Sequence, residues 1–209
     1  MQFGLALPHY DFSVPGESPL RFETIAAHAS AAEALGFDSL WVSDHVSLSI
    51  ERYGGPPGEQ FAYEPLATLA ALSGVVSRAR LGTLVLSEAL RPAGVLAKAL
   101  ATLDRVCRGR LDIGIGAGWY EPDYAAVGMA LPPPGERLAR LREALAVLDA
   151  VPLEHWRTGR LVGTVEQLAE QVAGWAELGV AELIVSAGPL PFSISGLEDL
   201  ELLKTALSC

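Results

Sequence analysis

An acid and an imidazole stand side by side at Asp44-His45, directly after the short apolar run Ser39–Val42. An imidazole placed there can donate or accept a proton near neutral pH. The plainer alternative has Asp44 capping the next segment and His45 packing in a loop. A second apolar run, Leu111–Ile115, leads into Gly114-Ile-Gly-Ala-Gly-Trp119. Gly116, Ala117 and Gly118 would let a ligand approach the backbone closely. Trp119 could stack on a flat ring or cover the mouth of a site. It also occupies the sixth position of the glycine series, where a dinucleotide fingerprint needs glycine, so a Rossmann reading is weak. His9 and Tyr10 follow the first apolar run and either line the same mouth or lie in a surface loop. Ser186-Ala-Gly188, after the last apolar run, is a candidate phosphate contact. Arg78, Arg80, Arg91, Arg105, Arg108 and Arg110 are clustered. They could hold an anionic tail, or sit at strand starts and helix ends where cations suit the helix C-terminus. His28 reads as a satisfied helix histidine, and no cluster has metal-ligand spacing.

These residues need elements to position them. Phe3–Leu7, closed by Pro8, reads as a first strand. Ser18-Pro19 reads as an N-cap with proline at the first helical position, and Gly36 as the residue that ends that helix. Ser39–Val42 is the second strand. After a Gly/Pro-rich loop at Tyr53–Gly58, a helix is predicted over Pro65–Ser77, a third strand over Arg80–Leu86 and a helix over Pro92–Arg108. Leu111–Ile115 is the fourth strand. Arg137–Leu148 is an amphipathic helix with Leu138, Leu141, Leu145 and Leu148 inward. The strands are continuously apolar rather than alternating, which implies burial on both faces and a parallel sheet under helices. The catalytic end of such a fold is the C-terminal end of its strands.

The rhythm breaks at Val151–Arg160. Beyond it stand a stub at Leu161-Val162, a helix capped by Thr164 and Gln167, a strand over Glu182–Ser186 and a helix over Leu197–Leu207. The chain of 209 residues is then a single α/β domain: four βα units in 1–150, a junction at 151–160 and a last unit in 161–209. With about five or six strands it is an incomplete or reduced (β/α)8 TIM-like barrel, since a closed one typically takes ~250 residues.

Half the residues are hydrophobic and 19% are charged, which supports a packed core. The net charge of −10 argues against nucleic acid, which needs a basic face. Cys107 and Cys209 form no disulfide framework, and a reducing cytoplasm is the simplest setting. The N-terminus is a poor signal peptide, and no apolar run is long enough to span a membrane.

Gly36–His45, Arg80–Leu86 and Leu103–Trp119, in this order and spacing, resemble the luciferase-like monooxygenase superfamily, and most closely its deazaflavin (coenzyme F-420) dependent branch. Arg140–Leu145, Val162–Gln167 and Gly179–Val185 resemble later parts of the same pattern. The resemblance implies a (β/α)8 barrel, often dimeric, with reduced flavin or deazaflavin at the C-terminal mouth. It implies hydride transfer or flavin-based oxygen chemistry on a small organic substrate, with coenzyme F-420 as cofactor and FMN as the alternative. It places His45 beside the cofactor ring as the catalytic acid/base, with Asp44 next to it. It also places a non-prolyl cis peptide at Leu84-Val85, behind the ring. Some deazaflavin members carry a catalytic glutamate where this chain has Trp119, so a sugar-phosphate dehydrogenase role is not expected.

By this resemblance the family's fifth and sixth strands and most of its seventh are absent, and with them part of the region whose loops hold much of the cofactor phosphate tail. Cutting strands from a parallel barrel exposes sheet edges and apolar interior, which predicts a homodimer. Alternatively, the last strand pairs with the fourth and closes a smaller barrel. Three functions follow in order: an oxidoreductase or monooxygenase, a non-catalytic flavin-binding protein, and a degenerate member without cofactor.

Overall fold

Parallel strands and outer helices alternate through the first two-thirds of the chain. The structure, a computed structural model, describes residues 2–149, 182–185, 196–197 and 200–201. Its elements are β1 (Gln2–Ala6), α1 (Phe22–Ala34), β2 (Ser39–Val42), β3 (Ser47–Ser49), β4 (Glu59–Phe61), α2 (Pro65–Leu72), β5 (Arg80–Ser87), α3 (Ala93–Val106), β6 (Leu111–Gly116), α4 (Glu121–Ala126), α5 (Pro134–Asp149) and β7 (Glu182–Val185). The strands β6-β5-β2-β1-β7 form one sheet in that order, and every pairing in it is parallel. The last strand therefore pairs with β1, and among the described residues it does not pair with β6. The expectation that it closes directly on the fourth apolar strand is corrected. The stub at 161–162, the capped helix after it and most of the terminal helix lie outside the described residues.

The strands are buried because helices cover one face and side chains fill the other. Leu5, Leu40, Leu81 and Ile113 join Ile25, Ala29 and Ala32 of α1, Leu69 and Leu72 of α2, and Leu96, Leu100 and Leu103 of α3 in one core. Each fully buried leucine or isoleucine contributes about 1.5–3 kcal/mol. Between the strands, Trp41 lies against the backbone of Gly4 and Gly82. A Cβ at either glycine would run into its indole. The indole N–H donates to Ser39 Oγ at 2.6 Å.

Several boundaries move for local reasons. α1 starts at Phe22, not at Ser18-Pro19, and its N-cap position is Arg21. Among the described residues no side chain caps its first turn; the Glu17 carboxylate takes the Arg21 N–H at 2.9 Å and the Thr24 hydroxyl at 2.9 Å, tying the preceding loop to the helix start. Gly36 does end α1, at φ +83°. α2 stops at Leu72, earlier than expected. Its N-cap is Glu64, whose carboxylate accepts from the Ala67 N–H at 2.6 Å. In α5, Leu138 is exposed, while Ala144 and Leu148 are buried. That helix packs against α3 and the Glu88–Leu90 turn, and its buried residues lie in its second half.

Between β2 and α2 lies a small antiparallel hairpin, β3 with β4, in the register Ser47↔Phe61 to Ser49↔Glu59. β5 carries a register shift between Thr83 and Leu86 against β6, and the Leu84-Val85 peptide there is cis. Because the main sheet is parallel, the ends of β1, β2, β5 and β6 all open on one side, together with the hairpin and α4.

Candidate functional site

The strand tips enclose a cavity of about 360 Å³. Asp44, His45, Leu84, Val85, Gly116, Ala117, Gly118 and Trp119 all line it. Residues picked from three separate stretches of sequence thus meet at one place. Ser186 and Gly188 lie outside the described residues. His9 lies behind the wall, fully buried, while its neighbours Tyr10 and Ser43 face the cavity.

Asp44 is the anchor of the wall. Its carboxylate takes both Arg91 nitrogens, Nη1 at 2.6 Å and Nη2 at 3.0 Å, and the Ser87 N–H at 2.9 Å. Arg91 also reaches Glu64 at 2.6 Å. The tip of β2, the end of β5 and the start of α2 are tied by one guanidinium. Asp44 therefore holds strand ends in place; it does not cap the next segment. The neighbouring carboxylates hold the Arg91 charge, outweighing the cost of its burial.

His45 is held from the other side. Its Nδ1–H donates to Asp123 Oδ2 at 2.6 Å. Asp123 Oδ1 accepts the Val46 N–H at 2.8 Å and sits 3.4 Å from the Ser47 nitrogen. Asp123 is 4% exposed, so this pair is screened from water. Nδ1 then carries the proton, and Nε2, which makes no hydrogen bond among the described residues, is left as the free lone pair. Trp119 and Tyr120 present edge-on contacts to the imidazole, with centroids at 5.9 and 5.6 Å. Tyr120 is fixed by Ser49, whose N–H donates to its oxygen at 3.0 Å, and by Glu59, which accepts its proton at 2.5 Å. The hairpin thus braces the ring of residues around His45. Arg52 lies 4.6 Å above Tyr53 and 5.8 Å from Trp119, closing the rim. Trp119 is 54% exposed, which sets it apart from the core aromatics.

His9 has a different role. Its Nδ1–H donates to the Leu7 carbonyl at 3.0 Å, and Nε2 accepts from the Ser43 N–H at 3.1 Å. Burial lowers its pKa from 6.5 to about 4, with the Leu7 carbonyl pulling the other way. A histidine kept neutral in one tautomer is a strut. Ser43 Oγ bridges it to the Tyr10 hydroxyl.

The clustered arginines mostly brace the opposite end of the sheet. Arg80 grips Asp112 with two bonds of 2.6 Å, and Arg110 donates to the Ala79 carbonyl at 2.6 Å. Only Arg91 of that cluster works near the cavity.

The residues fit a flat heteroaromatic ring. Ser87 Oγ is buried in the wall without a partner among the described residues. Gly118, at φ +67°, packs so close to the Tyr124 hydroxyl and Ser87 Oγ that a Cβ there would strike both. Small-ligand sites run from about 300 to 1,000 Å³, so this volume suits one ring system. For a phosphate tail the lining offers a single cation among the described residues, Arg52.

Sequence reasoning missed Asp123, Ser87 and the hairpin side chains Arg52 and Tyr53. Only Asp123 had a usable signal: Pro122 with Glu121 and Asp123 marks a helix first turn.

A model of the luciferase-like monooxygenase family matches residues 1–151. The chain belongs to that family. An uncharacterized protein of Mycobacterium tuberculosis is 34% identical over 138 residues, covering 61% of this chain and 48% of the relative. An F-420-dependent glucose-6-phosphate dehydrogenase of Beutenbergia cavernae is 38% identical over 128 residues, covering 61% of this chain and 36% of the relative. Among solved structures, an F-420-dependent secondary alcohol dehydrogenase in complex with an F-420–acetone adduct aligns with a TM-score of 0.58 at 22% identity. It covers 78% of this chain and 44% of that one. The match thus spans less than half of these family members' own lengths. It falls on the βα units that build the cavity.

Proposed function

We propose that this chain binds a deazaflavin of the coenzyme F-420 type, with FMN as the alternative, in the strand-tip cavity. There it takes part in hydride transfer to or from a small organic substrate. The observation that carries the reading is His45 locked onto buried Asp123 at the edge of a cavity that Gly116 and Gly118 also line. The cofactor would supply the hydride acceptor or donor. Leu84, Val85, Gly116 and Gly118 would form its backing, and Trp119 would cover one face. His45 Nε2 would take a proton from a substrate hydroxyl or amine as hydride leaves the adjacent carbon. Asp123 would stabilise the imidazolium so formed, and in the reverse direction Nε2 returns the proton. Trp119 and Arg52 would restrict water at the rim.

Titration with oxidised and reduced deazaflavin and with FMN, read by absorbance, tests binding. A panel of small alcohols, aldehydes and amines then tests turnover. His45→Ala should cost about 10²–10⁴-fold in hydride transfer, the usual worth of a general acid/base. Turnover that survives this change would refute the assignment. The short span matched on the relatives favours a second reading, binding without turnover. Saturable binding with a silent panel would establish it.

We also propose a homodimer in the cytoplasm. β6 and β7 are the edges of the described sheet, and unpaired edges associate. A compact monomer on a sizing column would overturn the assembly.

A further inference from the structure

A second cavity lies away from the strand tips, on the helical side. It is bounded by Glu88, Ala89 and Leu90, the start of α3 and one face of α5, and measures about 560 Å³. The strand-tip chemistry does not use it. Glu88 lines it and is only 8% exposed, and its Oε1 is buried with no hydrogen-bond partner among the described residues. A sealed carboxyl oxygen without a donor is costly and uncommon in folded chains.

Two acids, Glu88 and Glu143, and two arginines, Arg91 and Arg140, line this cavity, and both arginines have carboxylate partners outside it. Arg91 is matched by Asp44 and Glu64, and Arg140 by Glu136 at 2.6 Å. Glu88 and Glu143 form no ion pair among the described residues. Burial holds the Glu88 carboxyl above its ordinary range; Arg140 works against that shift and Glu143 adds to it. The rest of the surface is apolar. Val127, Met129 and Val147 line the cavity while remaining 46%, 37% and 41% exposed. An unmatched acid beside exposed aliphatic walls suits one ligand type, a cationic head on a short hydrocarbon body.

We propose that this cavity is a binding site for a small organic ammonium compound, its charge against Glu88 and Glu143 and its hydrocarbon against Val127, Met129 and Val147. The site is separate from the proposed cofactor cavity and does not depend on that reading.

The test titrates n-hexylammonium into the whole cofactor-free chain, with hexan-1-ol and hexanoate as comparisons, followed by ligand-observed NMR. Hexylammonium should bind roughly tenfold or more tightly than hexanol, the worth of one charge-assisted hydrogen bond. Hexanoate should bind least. Glu88→Gln should remove most of the difference between amine and alcohol. Val147→Trp, at an exposed position where folding is not at stake, should block all binding. Equal affinity for amine and alcohol, tighter binding of hexanoate, or no saturable binding overturns the proposal. So does unchanged amine binding in Val147→Trp, the variant that decides if Glu88→Gln does not fold.

Discussion

Replacing Asp123 by asparagine removes one charge and changes one hydrogen-bond role. The asparagine keeps an oxygen for the Val46 N–H, which Asp123 Oδ1 now accepts at 2.8 Å, so the backbone turn survives. The other atom becomes an NH2 group facing His45 Nδ1. It cannot accept from Nδ1–H, as Asp123 Oδ2 does at 2.6 Å. The imidazole should respond by moving its proton to Nε2, so that Nδ1 accepts from the amide. The free lone pair then no longer faces the cavity. A hydrogen bond to a charged group is worth about 1.5–3 kcal/mol, and each ~1.36 kcal/mol is tenfold in rate. Asp123→Asn should therefore slow hydride transfer by roughly 10- to 150-fold in kcat/KM. Two measurements check it. Long-range proton–nitrogen NMR reads the His45 tautomer directly and needs neither cofactor nor substrate. Single-turnover change in deazaflavin absorbance reads the rate. Asp123→Glu, which retains the acceptor, should restore the tautomer and part of the rate. If the proton stays on Nδ1 in a folded Asp123→Asn protein, the proposed hold on His45 is refuted. If the tautomer flips and the rate is unchanged, His45 is not the acid/base.

Three other perturbations probe the walls. His9 has a folded pKa near 4 against 6.5 unfolded, so between those values the unfolded chain binds the extra proton. Stability should fall as pH drops from 6.5 to about 4, by roughly 3 kcal/mol, and then level off. Urea midpoints across that range should show a shallower slope in His9→Gln, and an unchanged slope would exclude His9 as the source. Arg91→Met strands Asp44, which is 6% exposed, and should cost about 3–5 kcal/mol in denaturant melts. The double change Asp44→Asn/Arg91→Met should cost less than the single one; an equal or larger cost would contradict the bridging role. Gly118→Ala combines a φ of +67° with a collision against Tyr124 and Ser87. It should cost at least about 1–2 kcal/mol, and titration should show loss of flavin or deazaflavin affinity beyond what lowered stability explains.

The legible part of this site is the part whose causes are local. The strands announce themselves because burial on both faces demands unbroken apolar runs, and Gly36 announces the end of α1 because its φ of +83° suits glycine. Asp44, His45 and the run Gly116–Trp119 could be found because parallel strands deliver their C-terminal neighbours to one side. Side-chain pairing was not legible. Asp44 meets Arg91 across 47 positions, and His45 meets Asp123 across 78. No spacing rule encodes contacts that only the sheet order creates. The two three-residue strands of the hairpin are too short to show a period, and α4 is only six residues long. Leu138 failed for a related reason: periodicity marks a face of α5 but not which part of that face is buried.

Those long-range pairs also hold together the described part of the strand-tip cavity. Asp44 is held by Arg91 and Ser87, His45 by Asp123, Tyr120 by Glu59 and Ser49, and Ser43 by His9 and Tyr10. All of these residues fall within the stretch matched by the family model, and all come from the first four βα units and their insertions. On the proposed reading, these units would supply the backing of the ring and the proton donor. Holding an anionic tail makes a different demand, because it needs cations, and among the described residues the lining supplies only Arg52. The two demands are physically separable, since ring binding draws on apolar burial and tail binding on charge. Ring affinity should accordingly be insensitive to salt, while any added affinity of the full phosphorylated cofactor over its bare ring should fall as ionic strength rises.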